Sequence, residues 1–245
     1  VASRRKAKAA RHQLDTIVNH VIERRRHDGR AHDDVLSLLL EAQKDDTETA
    51  ARQLRDDAVT FLLAGHDTIA HALTWTWTLL AANPAAEARF HAEVEDIVGD
   101  RVASAKDVPR LAYTRHVLAE ALRLFPPAWV IVRRAAKPHE CRGHHIPAGS
   151  VVVASPFVTH RNGEYFPDPM AFSPERWAAD HERPRLAYFP FGAGPRSCIG
   201  EGFAWMEGTL VLATLGGRWQ LRSEGGTVRP DPRITLRPRG PVPMV

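Results

Sequence analysis

Residues 191–200 read FGAGPRSCIG, and the rest of the 245-residue chain is read outward from them. One cysteine, Cys198, sits in a glycine-rich loop at the start of an apolar helical segment. Arg196 precedes it by two residues and Phe191 by seven. Gly192, Gly194 and Gly200 permit positive φ and a close approach of the backbone to a flat ligand. At a helix start, free N–H groups and the helix dipole stabilise an anion and lower a thiol pKa. Arg196 presents a planar fork that suits a carboxylate, and Phe191 can shield the sulfur from water.

A thiolate presented this way suits a soft metal, haem iron above all. Cysteine ligation pushes electron density onto that iron and favours O–O cleavage. Haem carries two propionates, which Arg196 can pair. Three other readings compete. The loop is also a tight turn holding a buried structural cysteine. As a phosphate loop it lacks the glycine spacing and the Lys-Ser/Thr ending. As a nucleophile Cys198 lacks a nameable histidine partner.

A second motif lies upstream. Residues 47–82 read as a lead-in and one long helix, with Leu54, Val59, Phe61, Leu62, Leu63, Leu73, Trp75, Trp77, Leu79 and Leu80 around much of its circumference. Such a helix is expected to be central and buried. It contains Ala64-Gly65-His66-Asp67-Thr68. Glycine inside a helix costs about 1 kcal/mol relative to alanine, which room for a ligand would explain. Thr68 can turn its hydroxyl to the Ala64 carbonyl and bend the helix. An acid beside an alcohol can relay the protons that O–O cleavage requires. A packing glycine on a helix with a polar face is the plainer reading.

A third constellation is Glu120-Ala-Leu-Arg123, a carboxylate and a guanidinium three apart on one helix face. Val117, Leu118, Leu122 and Leu124 around it predict burial. A buried pair needs further partners to offset desolvation, and Arg176 in Pro174-Glu175-Arg176-Trp177 is the candidate.

Helices are predicted at 3–27 (stopping at Gly29), from an Asp33 cap through Leu40, from Pro84 to Val98 (closed by Gly99), and over 111–124 up to Phe125-Pro126-Pro127. Short strands are predicted at 130–132, 140–149 and 151–153, with turns at Gly143 and at Pro147-Ala148-Gly149. Residues 155–197 are irregular and proline-rich. A last helix runs from Cys198 to about Leu215, and short strands finish the chain. Cys141-Arg-Gly-His144-His145 offers half a zinc site with no second half, and otherwise a hairpin turn.

Composition narrows the class. Hydrophobic residues make up 44%, enough for a sizeable core, and the formal charge is +4. Basic residues concentrate in the first thirty, where they read as a solvated helix face or a dock for an acidic partner. Interleaved aromatics are lacking, which argues against nucleic acid. Two cysteines form no disulfide framework and fit a reducing, cytoplasmic setting. No apolar run reaches the roughly 18 residues of a membrane span. The chain opens on Val1, inside an amphipathic helix, so it reads as the C-terminal portion of a longer protein whose missing part could hold an anchor.

The loop FGAGPRSCIG, with Ala64 to Thr68 and Glu120-x-x-Arg123 ahead of it, closely resembles the cytochrome P-450 superfamily, the haem-thiolate monooxygenases. The resemblance covers nearly the whole chain. It implies a mainly α fold with small β-sheets, as a single domain: a helical part over 1–125, with the oxygen-binding helix at about 52–82, then sheets, the irregular segment and the haem loop over 126–245. It implies haem b (iron protoporphyrin IX) with Cys198 as the axial ligand. Asp67 and Thr68 match the acid–threonine pair, although Ile69 stands where family members often carry a second hydroxyl. Glu120, Arg123 and Arg176 match a structural network, and Arg133, ahead of its neighbour Arg134, a second propionate contact. Substrate contacts are expected at Thr60, Leu63, Ala64, Trp129 and Val130, and near Ile234 to Leu236. The implied reaction inserts one atom of O2 into a small apolar organic substrate and reduces the other to water. Electrons would come from a ferredoxin with its reductase or from a flavoprotein reductase. A haem-binding sensor or carrier, an inactive fragment of the enzyme, and a basic interaction domain are the alternatives.

Overall fold

A computed structural model describes the chain except residues 1, 29, 31, 44, 46 and 179–182, and except the side chains of residues 2 and 3. It is mainly helical, with three small two-stranded antiparallel sheets among the described residues. The chain divides into two compact units, residues 1–66 and 67–245.

The first unit holds α1 (Ala2–Asp28), α2 (Val35–Ala42) and the first part of α3 (Glu48–Ala82). Val18, Ile22 and Leu54 form its core, with Leu14, Leu36, Leu39 and Leu40 packed against them. The expected stop at Gly29 lies outside the described residues. The cap of α2 is Asp34 rather than Asp33: its backbone is extended and its carboxylate accepts the Ser37 N–H at 3.0 Å. The hydrogen-bonded Arg25 guanidinium, with that N–H, holds the Asp34 carboxyl well below the usual range. Burial of α3 differs from expectation. Phe61, Leu62 and Leu63 are exposed, whereas Ala72, Trp75, Trp77 and Leu80 are buried. An apolar circumference shows that a helix can be covered, not that its whole length is.

The second unit has a core built from the end of α3, α4 (Pro84–Ile97), α5 (Ala112–Leu124) and α7 (Glu201–Gly216). Leu80, Phe90, Val94, Val117, Leu118 and Leu212 are its centre. Pro84 starts α4 at a first-turn position, where its missing N–H costs nothing. Gly99 closes it with φ +58°. Strand β1 (Ile131–Arg134) pairs with β4 (Val151–Ala154), Arg133 opposite Val152. Between them β2 (His139–Cys141) and β3 (His144–Ile146) form a hairpin. Its two turn residues, Arg142 and Gly143, both have positive φ, as a two-residue hairpin turn of the primed kind requires. A four-residue α6 (Pro156–Thr159) and a 3-10 turn (Pro174–Trp177) interrupt the irregular segment. Strands β5 (Pro230–Pro232) and β6 (Leu236–Pro238) pair near the end of the chain.

Two glycines let α7 approach its neighbours. A β-carbon at Gly216 would stand 2.6 Å from two ring atoms of Phe90, and one at Gly208 2.7 Å from Leu118 Cδ2. The Phe90 ring is fully buried and set edge-on to Trp77, so it cannot yield, whereas a leucine methyl can. Gly216→Ala is therefore expected to cost about 1–3 kcal/mol through overpacking, and Gly208→Ala less. Thermal midpoints of the two variants check this; a Gly216→Ala midpoint equal to the parent's would refute it.

Candidate functional site

The loop at 191–200 is shaped by its own hydrogen bonds. Gly192 N–H donates to the Phe189 carbonyl at 3.0 Å, Ser197 N–H to Gly194 at 3.0 Å, and Cys198 N–H to Phe191 at 2.9 Å. Gly192 and Gly194 take φ of +76° and +74°, a region where a side chain is strained. A β-carbon at Gly192 would also meet Ile131 Cδ1 at 3.5 Å, so β1 lies against the loop. Nothing comparable calls for glycine at 200, where the backbone is ordinary and Cys198 Sγ lies 3.8 Å from an added β-carbon.

Cys198 is exposed and carries a free thiol. Its position differs from expectation: α7 begins at Glu201 with Gly200 as its cap. Cys198 therefore precedes the helix, and its N–H turns back into the loop. Phe191 is half-buried and packs at 5.5 Å on Trp205 of α7. Arg196 is exposed, with no carboxylate partner among the described residues. Arg133 is exposed and donates to the carbonyl of Val132, whereas Arg134 donates across the sheet to Gly149. Ile131 and Arg133 are two apart on one strand and so share its face, the side on which Ile131 meets the loop.

Beneath the loop lies a buried charge network. Glu120 and Arg123 are both fully buried. Glu120 accepts Nε and Nη2 of Arg123 at 2.8 and 2.9 Å, and Nε of Arg176 at 2.9 Å. It also accepts the Ser173 N–H and the Trp177 indole N–H, both at 3.0 Å. The remaining Arg123 donors reach the carbonyls of His160, Pro169 and Ala171. The His160 ring, also fully buried, accepts the Phe189 N–H at 2.9 Å. Through Phe189, which accepts from Gly192, the network is tied to the cysteine loop. Ser173, Trp177 and His160 are partners the sequence reading did not name; only the adjacency of Trp177 to Arg176 hinted at one.

On α3, Asp67 is exposed and Thr68 half-buried. Asp67 accepts a hydrogen bond from Thr235 at 2.9 Å. A β-carbon at Gly65 would meet nothing within 4 Å, so packing within the chain does not call for glycine there. Leu63 and Ala64 are exposed, and the Thr60 hydroxyl is bonded to the Asp56 carbonyl of its own helix. Trp129 and Val130 are half-buried, and the Trp129 indole donates to the Arg233 carbonyl. Ile234 is almost wholly exposed, while Leu236 is buried. The Cys141 hairpin is exposed, and no cluster of three or more metal-ligating side chains occurs among the described residues.

A family model described as cytochrome P-450 matches residues 2–241. The chain belongs to the cytochrome P-450 family. Among its P-450 relatives, cyclooctatin synthase of Streptomyces melanosporofaciens is 45% identical over 93% of this chain and 52% of its own length. Cyclooctat-9-en-7-ol 5-monooxygenase of the same organism is 43% identical over 95% and 52%. Pentalenene oxygenase of Streptomyces avermitilis is 36% identical over 89% and 48%. The chain thus spans about half the length of the curated relatives it matches. Among the described residues no helix is long and apolar enough to cross a membrane.

P-450 membership implies a haem, and the donor set fits one. A lone exposed thiol, with no cluster of metal-ligating side chains among the described residues, cannot complete a coordination sphere by itself. A macrocycle that brings its own equatorial nitrogens needs only one axial thiolate. The two left-handed glycines leave the loop free of side chains where such a ring would approach.

Proposed function

We propose that the full-length protein is a haem-thiolate monooxygenase. It inserts one oxygen atom of O2 into an apolar organic substrate and reduces the other to water. The observation that carries this is Cys198: an exposed free thiol at the end of a loop braced on Ile131 and, through Phe189, on the buried Glu120–Arg123 network. The cofactor is haem b, held by the Cys198 thiolate. When bound, it supplies the oxygen activation that a thiolate ligand favours.

The chain's own residues do the rest. The Cys198 thiolate binds iron, and Phe191 excludes water behind it. Gly192 and Gly194 keep the loop backbone low, and Gly200 leads from the thiolate into α7 beside the cofactor. Arg196 and Arg133, both exposed cations without carboxylate partners among the described residues, orient the propionates; the strand face shared with Ile131 favours Arg133 over Arg134. Asp67 and Thr68 hold and hand on the protons that oxygen reduction consumes. Glu120, Arg123 and Arg176 keep the loop's foundation rigid. Thr60, Leu63, Ala64, Trp129 and Val130 contact substrate. The names of two relatives specify an unsaturated alcohol, cyclooctat-9-en-7-ol, and an alkene, pentalenene, which favours a hydrocarbon-rich substrate here. Electrons come from a ferredoxin and its reductase or from a flavoprotein reductase. Two free thiols suit the reducing cytoplasm.

The test is the reduced, CO-bound difference spectrum of the full-length protein. The thiolate-specific Soret band is expected in the parent and its loss in Cys198→Ser. A parent without that band would sink the proposal.

A further inference from the structure

Asp67, His71 and Trp75 are spaced four apart on α3 and so form one stripe. All three meet the adjacent residues Thr235 and Leu236, where the β5–β6 loop enters β6. Thr235 Oγ1 lies 2.9 Å from Asp67 Oδ2 and 3.1 Å from His71 Nδ1. The direct Nδ1–Oδ2 separation is longer, 3.6 Å. One turn further on, the Trp75 indole donates to the Leu236 carbonyl at 3.0 Å.

The loop is fixed from several sides. Leu236 N–H donates to the Pro127 carbonyl at 2.9 Å, and Trp129 holds the Arg233 carbonyl at 3.0 Å. Trp75 is itself buried and stacked on Phe125, 3.9 Å between centroids. The Thr235 hydroxyl is thus delivered to Asp67 by a rigid support, not by a free side chain.

A threonine hydroxyl has one hydrogen to donate. Given to Asp67 Oδ2, it leaves the oxygen to accept from His71 Nδ1–H. The order is then directional: His71, Thr235, Asp67. We infer that Thr235 and His71 are positioning residues that orient Asp67 and return a proton to it after each transfer. This rests on the reading of Asp67 as a proton source in the oxygen reaction.

The balance is simple. Substrate hydroxylation consumes O2, two electrons from the redox partner and two protons, and yields alcohol and water. When Asp67 has given up a proton, the Thr235 hydrogen moves to Oδ2 and the His71 Nδ1 hydrogen moves to Oγ1. A solvent proton enters at His71 Nε2 as the Nδ1 proton leaves, so the ring stays neutral and resets by exchange with solvent. His71 is mostly covered, at 17% side-chain exposure, yet remains open to that exchange.

The test uses the full-length, haem-loaded protein. Thr235→Val keeps the shape and removes the hydroxyl. Product formed per electron pair is expected to fall on the order of tenfold, below the ~10²–10⁴-fold of a group that gives its proton directly to the reacting oxygen. Hydrogen peroxide and the solvent isotope effect should rise, and Thr235→Ser should restore all three. The ¹⁵N shifts of the His71 imidazole should move in Thr235→Val and return in Thr235→Ser, a readout independent of turnover. His71→Gln must show the same loss of coupling, which covers the case of a Thr235→Val protein that does not load haem. Asp67→Asn separates the two levels. If it leaves coupling intact, the reading of Asp67 fails and this inference falls with it. If it uncouples while Thr235→Val and His71→Gln do not, only this inference is overturned. Equal losses in the Val and Ser variants, with unmoved His71 shifts, overturn it as well.

Discussion

Replacing Glu120 by alanine is expected to destabilise the protein by about 3–5 kcal/mol, the cost of leaving a buried charge without its partner. Five hydrogen bonds converge on its two oxygens, from Arg123 twice and from Arg176, Ser173 and Trp177 once each. Removing the carboxylate strands two guanidinium groups, with side chains 0% and 9% exposed. Arg123, the fully buried one, cannot reach water without dismantling the segment around Pro169 and Ala171 that it also holds. Against a typical total stability of about 5–15 kcal/mol, that is a large fraction, and the urea-unfolding midpoint of the variant should fall accordingly. Glu120→Gln keeps the shape and one acceptor and should fall between. The contrast is Arg89, which pairs with Glu175 at 2.6 Å, but with the two side chains 59% and 47% exposed. Arg89→Ala should cost less than about 1 kcal/mol. An Asp or Glu–Arg contact is common, so distance does not decide the outcome; burial does. Equal losses in Glu120→Ala and Arg89→Ala would refute the argument.

The same distinction explains what could be read from the sequence. The mainly α class with small sheets was legible because helix periodicity, the Pro84 start, the Gly99 stop and the Phe125-Pro126-Pro127 break are local signals. Glu120 and Arg123 stand three apart, so their pairing is also local. What was not legible depends on which element covers which. Apolar periodicity does not tell Leu62, exposed, from Leu80, buried on the same helix. Nor does it show that β1 pairs with β4 rather than with the hairpin between them. The start of α7 is hidden in the sequence because the apolar run continues back through Ile199, while the backbone turns at Gly200. Contacts such as Thr235 with Asp67 join residues 168 apart and leave no periodic trace. For the candidate site, a motif names the residues that do chemistry, whereas the hydroxyls, carbonyls and indoles that orient them have no motif.

His160 gives the second large effect, and it depends on pH. Burial pushes its pKa down from 6.5 to about 3; the neighbouring Arg123 and Arg161 charges push the same way, and the Arg123 and Leu122 carbonyls only partly oppose them. Tyr188 is the other titratable ring against it, and burial raises that phenol well above its ordinary range, so it stays neutral. Because Nε2 accepts the Phe189 N–H, the neutral ring carries its proton on Nδ1, which closes no hydrogen bond of its own. Protonating Nε2 would set N–H against N–H and free Phe189, whose carbonyl holds Gly192 in the cysteine loop. The sign follows from the depressed folded pKa. The unfolded ring takes up its proton near pH 6.5 and the folded ring only near 3, so the stability is complete above 6.5. It is lost progressively as pH falls toward 3. The slope approaches about 1.4 kcal/mol per pH unit. His160→Gln keeps an acceptor for Phe189 and cannot titrate. Carboxylates contribute equally to both proteins, so the difference between their urea-unfolding free energies isolates the histidine. The parent should lose about 2 kcal/mol more than His160→Gln between pH 6.5 and 4.5, with the Cys198 thiolate band fading in the parent first. Parallel curves would mean that His160 titrates alike in both states and does not hold the loop through its neutral ring.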